Sequence, residues 1–189
     1  MSNGTARIPS SSQTVGPYFR IGLDSMIERT PALSLDEPGM VALQGRVFDG
    51  EGVPVPDSML EFWCATSESA GSRRGEEHLG FPAGFRRVAT GDDGSFSVII
   101  EHPAAIAPGD GTGQAPYFMV LVFARGLLRH LLTRVYLADG AVLKADPVLA
   151  KVSEGRRATL IASPDEKQEN IFHWDVKLQG TGETVFFAW

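Results

Sequence analysis

The chain contains one cysteine, Cys64, so no intrachain disulfide can form and a disulfide-stapled scaffold is excluded. Cys64 follows Trp63 in an apolar run, the setting of a small core residue. A reactive thiolate needs an electropositive neighbourhood, and nothing local supplies one. No run approaches the roughly eighteen apolar residues of a membrane span. Met1 to Ser12 lacks the apolar centre of a signal peptide, so a reducing, cytoplasmic home is expected. Positive charge is scarce: 17 Lys and Arg against 23 Asp and Glu give a net charge of −6. The pairs Arg73-Arg74, Arg86-Arg87 and Arg156-Arg157 are too short for a nucleic-acid footprint and read as surface or interface elements.

Catalytic signatures are missing as well. There is no Gly-x-Ser-x-Gly, Gly-x-Gly-x-x-Gly, Walker loop, His-Glu-x-x-His or His-x-His. The histidines are His78, His102, His130 and His173, and none sits in a nucleophile elbow. Glu76-Glu77-His78 has the residue types of an acid–base cluster, but its polar, Arg-rich surroundings favour a solvated loop. His130 reads as a hydrogen-bonded structural group.

What is present is a chain of 189 residues, 43% hydrophobic and 21% charged. That suits one folded domain with its own core. Residues 1–40 are rich in Ser, Thr, Gly and Pro and form a predicted arm, with one compact motif, Gln13-Thr14-Val15-Gly16-Pro17-Tyr18-Phe19. An arm of this length is ordered only where something binds it. Residues 41–189 change to short runs of period-two alternation. Strands are predicted near 43–49, 59–65, 85–90, 95–100, 118–124, 131–137, 158–162, 172–178 and 185–188, with a helical turn near 147–152. Asp49-Gly50-Glu51-Gly52 and Asp92-Asp93-Gly94 are hairpin-type turns. Pro54 and Pro56 keep the start of the second strand away from a sheet centre. The pattern predicts an all-β fold, a β-sandwich of two antiparallel sheets with extended loops.

Four segments, in order, resemble the intradiol ring-cleavage dioxygenases. They are Gln13-Thr14-Val15-Gly16-Pro17-Tyr18; Val47-Phe48-Asp49-Gly50 through Leu60-Glu61-Phe62-Trp63; Phe123-Ala124-Arg125-Gly126 through Thr133-Arg134-Val135-Tyr136; and Gly180-Thr181-Gly182-Glu183-Thr184-Val185-Phe186-Phe187. Within that family the chain looks like the α-type, non-catalytic partner in the members built from two kinds of chain. The resemblance implies a complex that cleaves protocatechuate with O2 to a carboxymuconate, in the β-ketoadipate pathway. It implies a β-type partner that carries Fe(III) on two tyrosines and two histidines. It also implies assembly of α–β pairs into a larger hetero-oligomer, with no nucleic acid and no membrane involved.

The same resemblance shows what this chain does not carry. Where the family's two histidines fall on one strand, this sequence reads Tyr117 and Met119. A thioether is too soft a ligand for ferric iron. The tyrosine ligand expected after Trp63 falls near Gly71, and no Tyr occurs between Tyr18 and Tyr117. Catalytic and metal residues are therefore expected to be absent here. Tyr117, Met119 and Arg134 are expected to mark a vestigial site. Thr14, Gly16, Pro17 and Arg125 carry over as residues lining the substrate pocket of the complex; Arg125 is equally open to a purely structural interface role. Two rival readings stand beside this one: a stand-alone ligand-binding sandwich, and a free-standing dioxygenase with an unusual iron site.

Overall fold

Alternating apolar residues build two facing sheets in the computed structural model. It describes residues 22–23, 27, 32–65, 84–106, 113–137 and 140–188. The strands are β1 (Met40–Phe48), β2 (Met59–Trp63), β3 (Phe85–Ala89), β4 (Ser95–Glu101), β5 (Tyr117–Phe123) and β6 (Leu131–Tyr136). Then come a short helix α1 (Gly140–Lys144), a 3-10 turn (Leu149–Lys151), α2 (Glu154–Arg157) and a second 3-10 turn (Ala158–Leu160). Three short strands follow: β7 (Ser163–Pro164), β8 (Ile171–His173) and β9 (Val176–Lys177).

One sheet runs β3-β2-β5-β6, antiparallel throughout. The other runs β4-β1-β8-β7, with β9 also on β1. The two-sheet sandwich is the expected one, but this second sheet is mixed, because β8 and β9 run parallel to β1. Period two sets the core. Phe118, Val120 and Val122 of β5 with Leu60 and Phe62 of β2 share one core cluster with Phe96, Val98 and Ile100 of β4 and Leu43 and Val47 of β1. Phe62 lies 6.0 Å from the Phe96 ring and meets Phe118 edge-on at 6.2 Å. Cys64 packs against this core, in keeping with its apolar setting.

Both segments form tight turns, but neither closes a hairpin, because β1 and β2, like β3 and β4, lie in different sheets. Asp49 Oδ1 accepts from the Glu51 and Val53 amides, each at 2.9 Å. Asp93 Oδ1 accepts from the Ser95 amide at 3.1 Å, and Gly94 takes the φ of +72° that the turn requires. The predicted helical turn near 147–152 is the 3-10 turn at Leu149–Lys151.

Three predicted strands differ. Residues 158–162 form the turn Ala158–Leu160 and a single bridge from Ile161 to Tyr136. There the Thr159 hydroxyl donates to the Arg156 carbonyl at 2.8 Å, a local bond that competes with a ladder. Residues 185–188 run beside β6 without a ladder, held by Phe187 N to Leu132 O at 2.8 Å and Thr133 Oγ1 to Val185 O at 2.7 Å. Residues 172–178 break at Trp174-Asp175 into β8 and β9, because Asp175 Oδ1 takes the Arg46 amide at 2.9 Å. Among the described residues no helix is long and apolar enough to cross a membrane.

Candidate functional site

The outward face of the β3-β2-β5-β6 sheet carries the chain's unusual chemistry. Phe118, Val120 and Val122 point into the core, so Tyr117, Met119, Leu121 and Phe123 point out. Strand register then lines up one row across the sheet: Phe85 opposite Trp63, Trp63 opposite Met119, Met119 opposite Arg134. Trp63 and Phe85 pack at 4.4 Å. Met119 is 37% exposed although β5 is a central strand.

The three expected vestigial residues come together here. The Arg134 guanidinium lies 3.9 Å from the centre of the Tyr117 ring, a cation–π geometry. Arg134 Nη1 donates to Gln114 Oε1 at 2.7 Å, and Gln114 is itself fixed by a backbone bridge to Ile106. Tyr117 packs at 5.8 Å against Tyr136.

Behind this cluster sits a residue that sequence reasoning missed, Asp146. It is fully buried and accepts from the amides of Ala115 at 3.0 Å, Val148 at 2.9 Å and Leu149 at 2.8 Å. The Tyr136 hydroxyl also donates to it, at 3.2 Å. Burial pushes the Tyr136 phenol up to about 12, with the Asp146 charge adding and Arg134 opposing. The available signal was the dipeptide Asp146-Pro147 ahead of a helical turn, where a carboxylate caps the following amides.

The next row holds a second missed pair. Glu61, noticed only as an odd polar member of its strand, is buried and ion-paired with Arg87, whose Nε donates to Oε1 at 2.9 Å. Arg87 stands directly opposite Glu61, a fact visible only once register is known.

Arg125 is elsewhere. It follows β5 at the end opposite to Tyr117, roughly 25 Å along the strand by its rise. Its side chain is 61% exposed and its Nη1 stands 4.0 Å from Asp57 Oδ2. Asp49, Asp92, Asp93, Pro54 and Leu178 line the same shallow depression. Thr14, Gly16 and Pro17 lie outside the described residues.

The residues at Tyr117 and Met119 do not fit a ferric ion. A thioether is a soft donor, and the guanidinium against Tyr117 is a fixed positive charge that repels a metal cation. Among the described residues no three His, Cys, Asp or Glu side chains gather to hold a metal.

A family model described as "Dioxygenase" matches residues 15–180. The chain is 41% identical over 193 aligned residues to the protocatechuate 3,4-dioxygenase alpha chain of Burkholderia cepacia, covering 93% of this chain and 95% of that one. It is 35% identical to the protein of the same name from Pseudomonas putida, covering 93% and 94%. Among solved structures, the dioxygenase domain of a dioxygenase and carbohydrate-binding protein fusion from Streptomyces sp. SirexAA-E superposes with a TM-score of 0.58 at 19% identity. That match covers 96% of this chain and 97% of the other, and shows the shared sandwich. The chain belongs to the intradiol dioxygenase family, and within it to the protocatechuate 3,4-dioxygenase alpha chains.

Proposed function

We propose that this chain is the non-catalytic alpha subunit of a protocatechuate 3,4-dioxygenase, acting with a beta chain that holds the Fe(III). The observation that carries the reading is the near full-length identity to alpha chains, 41% and 35%. The Arg134 cation packed on Tyr117 supports it, because a fixed positive charge beside Tyr117 and Met119 disfavours a ferric ion there. The complex cleaves protocatechuate with O2 and assembles from several alpha–beta pairs in the cytoplasm.

The partner's iron supplies the oxygen chemistry. This chain's residues bind and orient. Thr14, Gly16 and Pro17 of the arm line the pocket shared with the beta chain. Arg125 faces that pocket. Its exposure leaves the guanidinium able to reach across the interface, away from the aspartates of its own depression, Asp49, Asp92 and Asp93. Tyr117, Met119 and Arg134 form the remnant site.

The test is iron content of the chain purified alone and after coexpression with the adjacent dioxygenase gene product. Iron absent alone and present at about one per pair in the complex is the expected result. Stoichiometric iron in the lone chain overturns the reading, and a monomer that binds ligand with no partner favours a stand-alone module.

A further inference from the structure

Among the described residues, β4 is the sheet edge left unguarded. The outer flank of β6 is occupied by residues 185–188, through Phe187 N to Leu132 O at 2.8 Å, and by the bridge from Ile161 to Tyr136. β7 is two residues long and includes Pro164. β3 carries Arg86 and Arg87. Cover, shortness, proline and charge are the ordinary protections of an edge. β4 has seven residues, Ser-Phe-Ser-Val-Ile-Ile-Glu, and none of these protections before Glu101 at its end.

Hydrogen-bond parity shows which groups of β4 face outward. Val47 N donates to Gly94 O at 3.0 Å and His102 N to Gly39 O at 2.8 Å, both on the continuation of the β1–β4 register. Bonded pairs alternate along an antiparallel ladder. Phe96, Val98 and Ile100 therefore bond to β1, and the amides and carbonyls of Ser95, Ser97, Ile99 and Glu101 point away from it. The two ends are engaged. Ser95 N donates to Asp93 Oδ1 and Ser95 O accepts from Gly91 N, while Glu101 O faces the Cys64 thiol at 3.8 Å. Ser97 and Ile99 have no backbone partner on that flank among the described residues. An open depression lined by Val88, Ala89, Ser95 and Ser97 runs beside them.

We propose that this edge pairs with the same edge of a second copy of the chain, antiparallel about a two-fold axis at Val98. In that register Ser97 lies opposite Ile99 of the second copy, and Ile99 opposite its Ser97. Each pair exchanges both N–H···O=C bonds, so the free groups of Ser97 and Ile99 are all satisfied. Charge favours the same register. Glu101 falls opposite Ser95 of the second copy, in the row that Arg46 of that copy continues on β1. Arg46 is 53% exposed. An acid of one copy thus meets a base of the other on both sides of the axis, and no like charges stand directly opposite.

The pairing joins the mixed sheets of two copies into one continuous sheet. It uses this chain's own backbone, so it goes beyond the alpha-subunit reading and does not depend on it. Where alpha–beta pairs assemble, it is a contact through which two pairs meet.

Sedimentation velocity of the copurified complex, and of the full chain alone, tests it. Ser97→Pro removes an edge N–H that points away from β1, a place where a sheet accepts proline. Its particles are expected to have about half the wild-type mass or less, with iron per pair unchanged in the complex. Ile99→Lys puts a charge on the edge and is expected to do the same; it decides if Ser97→Pro does not fold. Ser97→Cys combined with Ile99→Cys sets thiols opposite each other across the axis, and mild oxidation is expected to link two copies of this chain on a denaturing gel. Wild-type mass in the edge variants, a crosslink to a beta chain instead of a second copy, or no crosslink overturns the proposal.

Discussion

A Cβ added to Gly45 would stand 1.8 Å from the carbonyl oxygen of Trp174. The two backbones touch where the chain passes from β8 to β9 alongside β1. The contact is locked on one side by Trp174 N donating to Gln44 O at 2.8 Å, and on the other by Asp175 accepting from Arg46 N. No side chain larger than hydrogen fits without moving one strand off the other.

Gly45→Ala is therefore expected to destabilise the fold by about 3 kcal/mol, a large value for one methyl group. Chemical denaturation of the variant reads it. A loss under roughly 1 kcal/mol would mean the strands slide apart at little cost.

The Glu61–Arg87 pair gives a second expectation. Their side chains are only 11% and 14% exposed, and Arg87 Nη1 is buried with no acceptor. Removing one partner strands the other's charge, so Glu61→Leu or Arg87→Met alone should cost about 3 kcal/mol. The double variant Glu61→Leu, Arg87→Met should recover most of that, because two well-packed apolar groups need no counter-charge. A double-mutant cycle measures the difference, and additive single losses would contradict it.

Asp146 is expected to matter more than any exposed acid. Asp146→Asn turns an acceptor of three amides and one hydroxyl into a group that must also donate, at a cost of about 3 kcal/mol. Tyr136→Phe removes one donor only and should cost about 1 kcal/mol. Equal losses from the two variants would argue that the hydroxyl, not the amides, holds the carboxylate.

Cys64 is expected to contribute to the alkaline limb of stability. Burial, then the nearby Glu101 charge, pushes its thiol up to about 12. The unfolded thiol ionises near 8.5. Stability from the neutral thiol is thus full below about pH 8.5 and falls as pH rises toward the folded value. Cys64→Ala should flatten the decline of stability between about pH 8.5 and 10. Iodoacetamide should label the wild type at pH 8 only as fast as the protein opens.

How much was legible can be argued from single residues. Phe118, Val120 and Val122 announced their shared face by alternation, and Asp49 and Asp93 announced their turns by local hydrogen bonding. These are short-range signals. Residues 158–162 looked like a strand because they are apolar, but the Thr159 hydroxyl found a carbonyl three residues back. Tyr117, Met119 and Arg134 were grouped through resemblance, while the stacking of Arg134 on Tyr117 depends on the β5–β6 register. Arg87 facing Glu61, and Asp146 beneath Tyr136, are meetings of distant segments that no local pattern encodes.

The parallel pairing of β1 with β8 and β9 has a consequence for how the chain is made. Arg46 and Asp175 are 129 residues apart in sequence, so β1 leaves the ribosome long before its second neighbour exists. Until residues 171–177 emerge, one flank of a strand destined for the sheet interior is an open edge, a template for pairing with the wrong chain. Contacts of such separation also slow folding. The nascent protein is thus most vulnerable to aggregation while its core is nearly all synthesised, and a few residues near its C-terminal end close that window.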